Sequence, residues 1–190
     1  MDPNVITIVS GLPRSGTSMM MKMLEAGGIP VLVDNIRQAD EDNPNGYYEF
    51  ELVKKVKDDR SWLDDAGGKV VKMVSMLLKD LPAGQTYKIV FMRRKMEEIL
   101  ASQKQMLVRN NKPTDTISDE KMAALFEKHL KEIFAWLEKQ SHMHVLYVNY
   151  NDMVANPLPY IAQINDFLGN SLDTDKMAGV IDKKLYRQKK

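Results

Sequence analysis

The sequence predicts an α/β fold in three layers: a mostly parallel central sheet of about five strands with helices on both faces. Three observations predict it. Short apolar, β-branched runs at residues 5–9, 29–33, 69–73, 87–92 and 145–148 alternate with longer segments of helical pattern. Several of these runs are almost continuously apolar rather than alternating, as expected of strands covered on both faces. No internal repeat or low-complexity tract breaks the order, and 190 residues with 44% hydrophobic content suit one domain over 1–190 with a single real core.

The elements follow in order. Val5-Ile-Thr-Ile-Val9 is a buried strand that runs directly into Ser10-Gly11-Leu12-Pro13, a turn. From Gly16 to about Ala26 the pattern is helical, and Gly27-Gly28 ends it. Residues 29–33 are a second strand, 34–46 a polar loop rich in Asp, Asn and Pro, and 47–57 a helix. After Gly67-Gly68 comes a third strand at 69–73, and after Pro82-Ala83-Gly84 a fourth at 87–92. Residues 95–109 are amphipathic. Ser118 with Asp119-Glu120 reads as an N-cap with an acidic first turn, opening a long helix to about Gln140. A fifth strand at 145–148 precedes a helix that starts at Pro157 and stops at Gly169.

Composition excludes several classes. The net charge of +1 gives no polyelectrolyte grip for nucleic acid. The absence of cysteine removes disulfides, thiolate metal sites and a cysteine nucleophile, and is compatible with a reducing compartment. The expectation is a soluble, cytoplasmic protein without signal peptide or membrane insertion. The cluster Met19, Met20, Met21 and Met23 reads as flexible packing on a helix face, not as a metal site.

The chemistry-bearing segment is Gly11-Leu-Pro-Arg14-Ser15-Gly16-Thr17-Ser18, placed between a strand and a helix. Successive backbone amides there form an anion-binding nest, and the helix N-terminus adds its positive end. Gly16 admits close approach of a phosphate, and Thr17 and Ser18 add hydroxyls. The ATP-binding version carries lysine directly after its second glycine; this chain has Thr17 there, with Arg14 moved ahead of the glycine. Such a loop is poorly equipped for a magnesium triphosphate and suits a phosphate bearing a transferable group.

Pro13-Arg14-Ser15-Gly16-Thr17-Ser18 resembles the 5′-phosphosulfate loop of PAPS-dependent sulfotransferases, which have a P-loop-type fold. The resemblance implies that Arg14 contacts the bridging oxygen and sulfonate while Ser15, Gly16, Thr17 and Ser18 hold the 5′-phosphate. A second segment, Lys88 to Gln103, resembles the family's 3′-phosphate motif: an apolar strand ending in arginine, then a helix with serine eight residues on. Arg94 and Ser102 occupy those positions, and the spacing favours Arg94 over Arg93. A guanidinium at a strand end folds back toward such a serine, and both grip one phosphate. The stretch Val145 to Pro157 is also similar to the family, which implies that Tyr150 stacks on or borders the adenine. The tail Leu185-Tyr186-Arg187 is similar to a basic segment that closes over the 3′-phosphate.

Sulfonate transfer needs a base for the acceptor proton and cations for charge developing on the leaving phosphate. Cytosolic members carry Lys-Thr-His at a strand end. Lys72 matches the lysine, but Val74 stands where the histidine would be, and His129, His142 and His144 lie elsewhere. Other branches use a glutamate after the loop. Glu49, following Tyr47 and Tyr48, is the leading candidate, with Glu51 and Asp40 beside it. The expected reaction is transfer from PAPS to a hydroxyl or amine acceptor with release of PAP, carried by Arg14, Glu49 and Lys72 without metal. The loop at 34–46, the following helix and residues 104–118 would build the pocket of an acceptor whose class the sequence does not encode. The rival readings are a small P-loop nucleotide or metabolite kinase and a nucleotide-binding protein that has lost catalysis.

Overall fold

The computed structural model describes residues 2–34, 36, 46–114 and 116–181. Its sheet has four strands, β1 (Val5–Gly11), β2 (Val70–Val74), β3 (Thr86–Arg93) and β4 (Met143–Asn149), all parallel and ordered β2-β1-β3-β4. Around them lie α1 (Thr17–Ala26), α2 (Met96–Arg109), α3 (Asp119–Leu137), α4 (Tyr150–Ala155), α5 (Pro157–Leu168) and α6 (Thr174–Gly179).

Alternation along the strands divides the core. Ile6 and Ile8 of β1, Val71 and Met73 of β2 and Ile89 and Phe91 of β3 bury one face against Ile133 and Leu137 of α3 and against Trp62 and Leu63. Val9, Val70, Val90, Met92 and Val148 bury the other against α1, α4, α5 and α6. The three expected layers are present. Met20, Met21 and Met23 are fully buried on the second face, where unbranched thioethers fill the gap between helix and sheet.

Two expectations are corrected. Residues 29–33 do not form a fifth strand: Val31 makes an isolated bridge to Val70, with Leu32 N–H donating to the Val70 carbonyl and Val70 N–H to the Pro30 carbonyl. Pro30 has no amide to extend the ladder, so the segment covers the β2 edge without joining it. Residues 47–57 are not a helix: an irregular stretch through Phe50 leads into a single 3₁₀ turn, Glu51–Lys55. The Tyr47 carbonyl, which a helix would offer to the Glu51 amide, instead accepts from Lys72 and Ser18. The Glu51 amide donates to Asp34 Oδ2 at 2.6 Å. Side chains from elsewhere in the fold thus outcompete the local helix.

Other boundaries hold within a few residues. Ser118 caps α3, its hydroxyl accepting from Lys121 N–H at 3.3 Å. Pro157 opens α5 and Gly169 closes it.

The register places the site. The chain goes from β1 through α1 to β2 on one side, and β3 and β4 continue on the other side of β1. The strand order therefore reverses between β1 and β3, the switch point at whose carboxyl ends open α/β sheets bind ligands. Gly11 pairs with Met92 and Val9 with Lys72, so the segments leaving β1, β2 and β3 gather at one edge.

Candidate functional site

The loop after β1 is held by its own hydroxyl. Ser15 Oγ donates to the Leu12 carbonyl at 2.7 Å, and the Ser15 amide donates to the same oxygen at 3.2 Å. Ser15 is buried, and its side chain locks the turn. Arg14 takes a left-handed conformation (φ 68°), an uncommon one for a residue with a Cβ. Gly16 caps α1 at φ 97°, and the first amides of α1, at Thr17, Ser18 and Met19, have no carbonyl partners within the helix. A Cβ on Gly11 would lie 2.6 Å from Ser15 Oγ and 2.7 Å from the Met92 carbonyl oxygen. This leaves no room for another residue where the loop departs.

The second predicted motif converges on the first across 80 to 88 residues of chain. Arg14 Nε donates to Ser102 Oγ at 2.9 Å, and Arg94 Nη1 donates to the Arg14 carbonyl at 3.0 Å. Arg93 turns the opposite way, its guanidinium carbon 5.8 Å from the Phe134 ring centroid. Of the two arginines, Arg94 is therefore the one at the loop.

Lys72 reaches from β2 to the start of α1, donating to the Tyr47 carbonyl and to Ser18 Oγ at 3.4 Å. Glu49 lies two residues beyond Tyr47, with Oε2 3.5 Å from Lys54 Nζ; Glu51 meets the same lysine at 2.5 Å. Tyr48 (φ 51°), between Tyr47 and Glu49, donates to Glu25 of α1 at 2.5 Å, and burial together with that carboxylate pushes the phenol well above its ordinary range. Asp40 and the Leu185-Tyr186-Arg187 tail lie outside the described residues.

Tyr150, expected beside an adenine, sits between the loop and Arg94. It begins α4, buried, with the Arg94 guanidinium carbon 4.6 Å from its ring centroid. It also abuts Gly16, where an added Cβ would fall 2.3 Å from Tyr150 Cδ2. The ring is a wedge between the loop and Arg94.

Two participants escaped the sequence reading. Glu98 is fully buried, its Oε2 accepting from Arg94 Nε at 2.9 Å and its Oε1 from Asn151 Nδ2 at 2.8 Å. The four-residue spacing of Arg94 and Glu98 on a helix start was an available signal; nothing marked Asn151. Farther along the sheet edge, Ser75 Oγ and His129 Nε2 share a 2.8 Å hydrogen bond. Burial, then nearby Lys79, lower the His129 pKa, against the opposing pull of Glu132.

A family model for the sulfotransferase domain matches residues 6–190. The chain belongs to the sulfotransferase family. Solved sulfotransferases share its fold. STF1 from Mycobacterium tuberculosis H37Rv superposes with a TM-score of 0.60 at 18% identity, over 95% of this chain and 71% of that one. The sulfotransferase domain of the Synechococcus PCC 7002 olefin synthase gives 0.54 at 15%, over 99% and 84%. Mouse SULT7A1, crystallised in complex with PAP, gives 0.57 at 19%, over 95% and 63%. No curated protein matches the chain by sequence. The chain is accordingly read as a sulfotransferase, and neither the kinase nor the inactive-binder reading is favoured. No helix among its described residues is long and apolar enough to cross a membrane.

Proposed function

We propose that this sulfotransferase acts as one cytoplasmic domain that moves a sulfonate from PAPS to a hydroxyl or amine acceptor. In this reading the loop at 11–18 takes the 5′-phosphosulfate, and Arg94 with Ser102 takes the 3′-phosphate. The observation that carries it is the meeting of the two phosphate motifs, through Arg14 with Ser102 and Arg94 with the Arg14 carbonyl. A loop with no room for a Cβ at Gly11, ringed by Arg14, Arg94 and Lys72, fits a nucleotide with phosphates at both positions.

The donor supplies a sulfonate on a good leaving group. The acceptor oxygen or nitrogen forms a bond to sulfur as the sulfur–oxygen bond to the 5′-phosphate breaks. Arg14 and Lys72 meet the negative charge that develops on that phosphate, and Glu49 receives the acceptor proton.

Calorimetric titration with PAP, set against ATP with magnesium, tests the donor site. Wild type binds PAP in the micromolar range and ATP far more weakly. Arg94→Ala loses about 30-fold or more, the effect of removing one partner of a buried charge-assisted contact. Because that change also strands Glu98, Ser102→Ala is measured beside it, with an expected loss of about 10-fold or more for one hydrogen bond to a charged group. ATP binding indifferent to both substitutions would refute the reading.

A further inference from the structure

We propose that Glu98 is a positioning residue for recognition of the donor's 3′-phosphate, acting through Arg94 and held in turn by Asn151. The inference rests on the reading of Arg94 as the 3′-phosphate ligand.

A carboxylate with no exposed surface is costly unless paired and hydrogen-bonded. Glu98 is such a group, at 0% exposure, beside an arginine whose side chain is 8% exposed. Its partners give it a specific task. Oε2 takes the Nε–H of Arg94 at 2.9 Å, the Tyr150 ring covers a face of the guanidinium at 4.6 Å, and Nη1 reaches the Arg14 carbonyl at 3.0 Å. Held on an edge, a face and a terminal nitrogen, the guanidinium presents its Nη side to the loop before any ligand arrives. Arginine has much rotamer freedom to lose, and ordering it during folding removes that loss from binding.

The carboxylate also repels an anionic ligand, so two effects of opposite sign compete. Glu98 addresses the Nε edge, and its repulsion acts on a phosphate at the Nη side only across the intervening cation. Preorganisation therefore dominates.

Asn151 makes the carboxylate itself necessary. Its Oδ1 accepts the Lys95 amide at 3.2 Å, which fixes the carboxamide so that Nδ2 faces Glu98 Oε1. Glu98 thus stands between two donors, Arg94 Nε–H and Asn151 Nδ2–H. A glutamine there has one acceptor oxygen and must turn its own NH₂ toward one of them. The same asparagine joins the start of α2 to the start of α4, tying the orientation of Arg94 to the Tyr150 wedge under Gly16.

The test is the affinity of wild type and Glu98→Gln for PAP and for 5′-AMP, which lacks the 3′-phosphate, with thermal unfolding of each. Wild type prefers PAP strongly. Glu98→Gln loses about 10- to 100-fold for PAP, as for a buried charged hydrogen bond left mismatched, and stays within about 3-fold for 5′-AMP. Equal losses for both nucleotides would reduce Glu98 to a structural role and overturn the proposal, as would unchanged or tighter PAP binding. Should Glu98→Gln fail to fold, Asn151→Ala leaves the Arg94 contact but removes the Nδ2–H donor to Oε1; a selective PAP loss of about 3- to 10-fold supports the proposal, and no loss overturns it. A wild type that does not distinguish PAP from 5′-AMP would instead refute the Arg94 reading beneath it. That result is separable from the others because it needs no variant.

Discussion

Replacing Gly16 with alanine tests how the loop, the Tyr150 wedge and donor binding depend on one another. Gly16 sits at φ 97°, ψ 15°, where a Cβ costs about 1–2 kcal/mol by backbone sterics alone. The new methyl would stand 2.3 Å from Tyr150 Cδ2, 2.9 Å from Cε2 and 3.2 Å from Cγ. Carbon atoms pack at about 3.5–4.0 Å, so the ring must retreat by about an ångström or more. It has little freedom to do so, being 6% exposed and stacked on Arg94. Forcing such a move in a packed interior costs about 1–3 kcal/mol. The two parts together come to about 2–5 kcal/mol, or a fall in Tm of roughly 4–20 °C for a domain of this size. Differential scanning fluorimetry reads the melt and calorimetry reads PAP affinity, which should fall as Arg94 is displaced with the ring. The double variant Gly16→Ala, Tyr150→Ala separates the causes. It should be less destabilised than the sum of the singles by about 1–3 kcal/mol, the coupling typical of groups in contact. A Gly16→Ala protein that melts and binds as wild type does would refute the wedge, and strict additivity would refute its steric half.

Two further expectations concern titratable groups. Glu49→Gln should lower kcat by about 100-fold or more, the usual contribution of a general base, while leaving PAP affinity within about 2-fold; turnover is read on the best acceptor from a panel of alcohols, phenols and amines. Unchanged kcat there, with a loss in Glu51→Gln, would pass the role to Glu51. The lowered pKa of His129 bears on stability rather than catalysis. Below its ordinary value of 6.5 the unfolded chain binds the proton more readily than the folded one, so stability from this residue is present above that pH and is lost as the pH falls toward the folded value. Tm should therefore drop more steeply between pH 7 and pH 5 in wild type than in His129→Gln, and parallel slopes would refute the assignment.

Much of this was legible in residue order because it is local physics. A β-branched run followed by Gly11 and Gly16 dictates strand, tight loop and helix start, and Pro157 with Gly169 marks the two ends of α5 without tertiary help. The two phosphate motifs were readable for the same reason, since each is a strand end with a cation beside it. What residue order did not carry is what one segment does to another. Whether 29–33 joins the sheet turned on Pro30 at the β2 edge, and whether 47–57 coils into a helix turned on Lys72 and Ser18 claiming the Tyr47 carbonyl. The burial of Tyr150 and the contacts of Glu98 with Arg94 and Asn151 depend on strand order. Only when β1 lies between β2 and β3 do the loop, Lys72 and Arg94 meet at one edge. Sequence by itself determined which groups we propose for binding phosphate. Tertiary structure decided how they are aimed, because orientation comes from hydrogen bonds and packing between residues 50 to 90 positions apart.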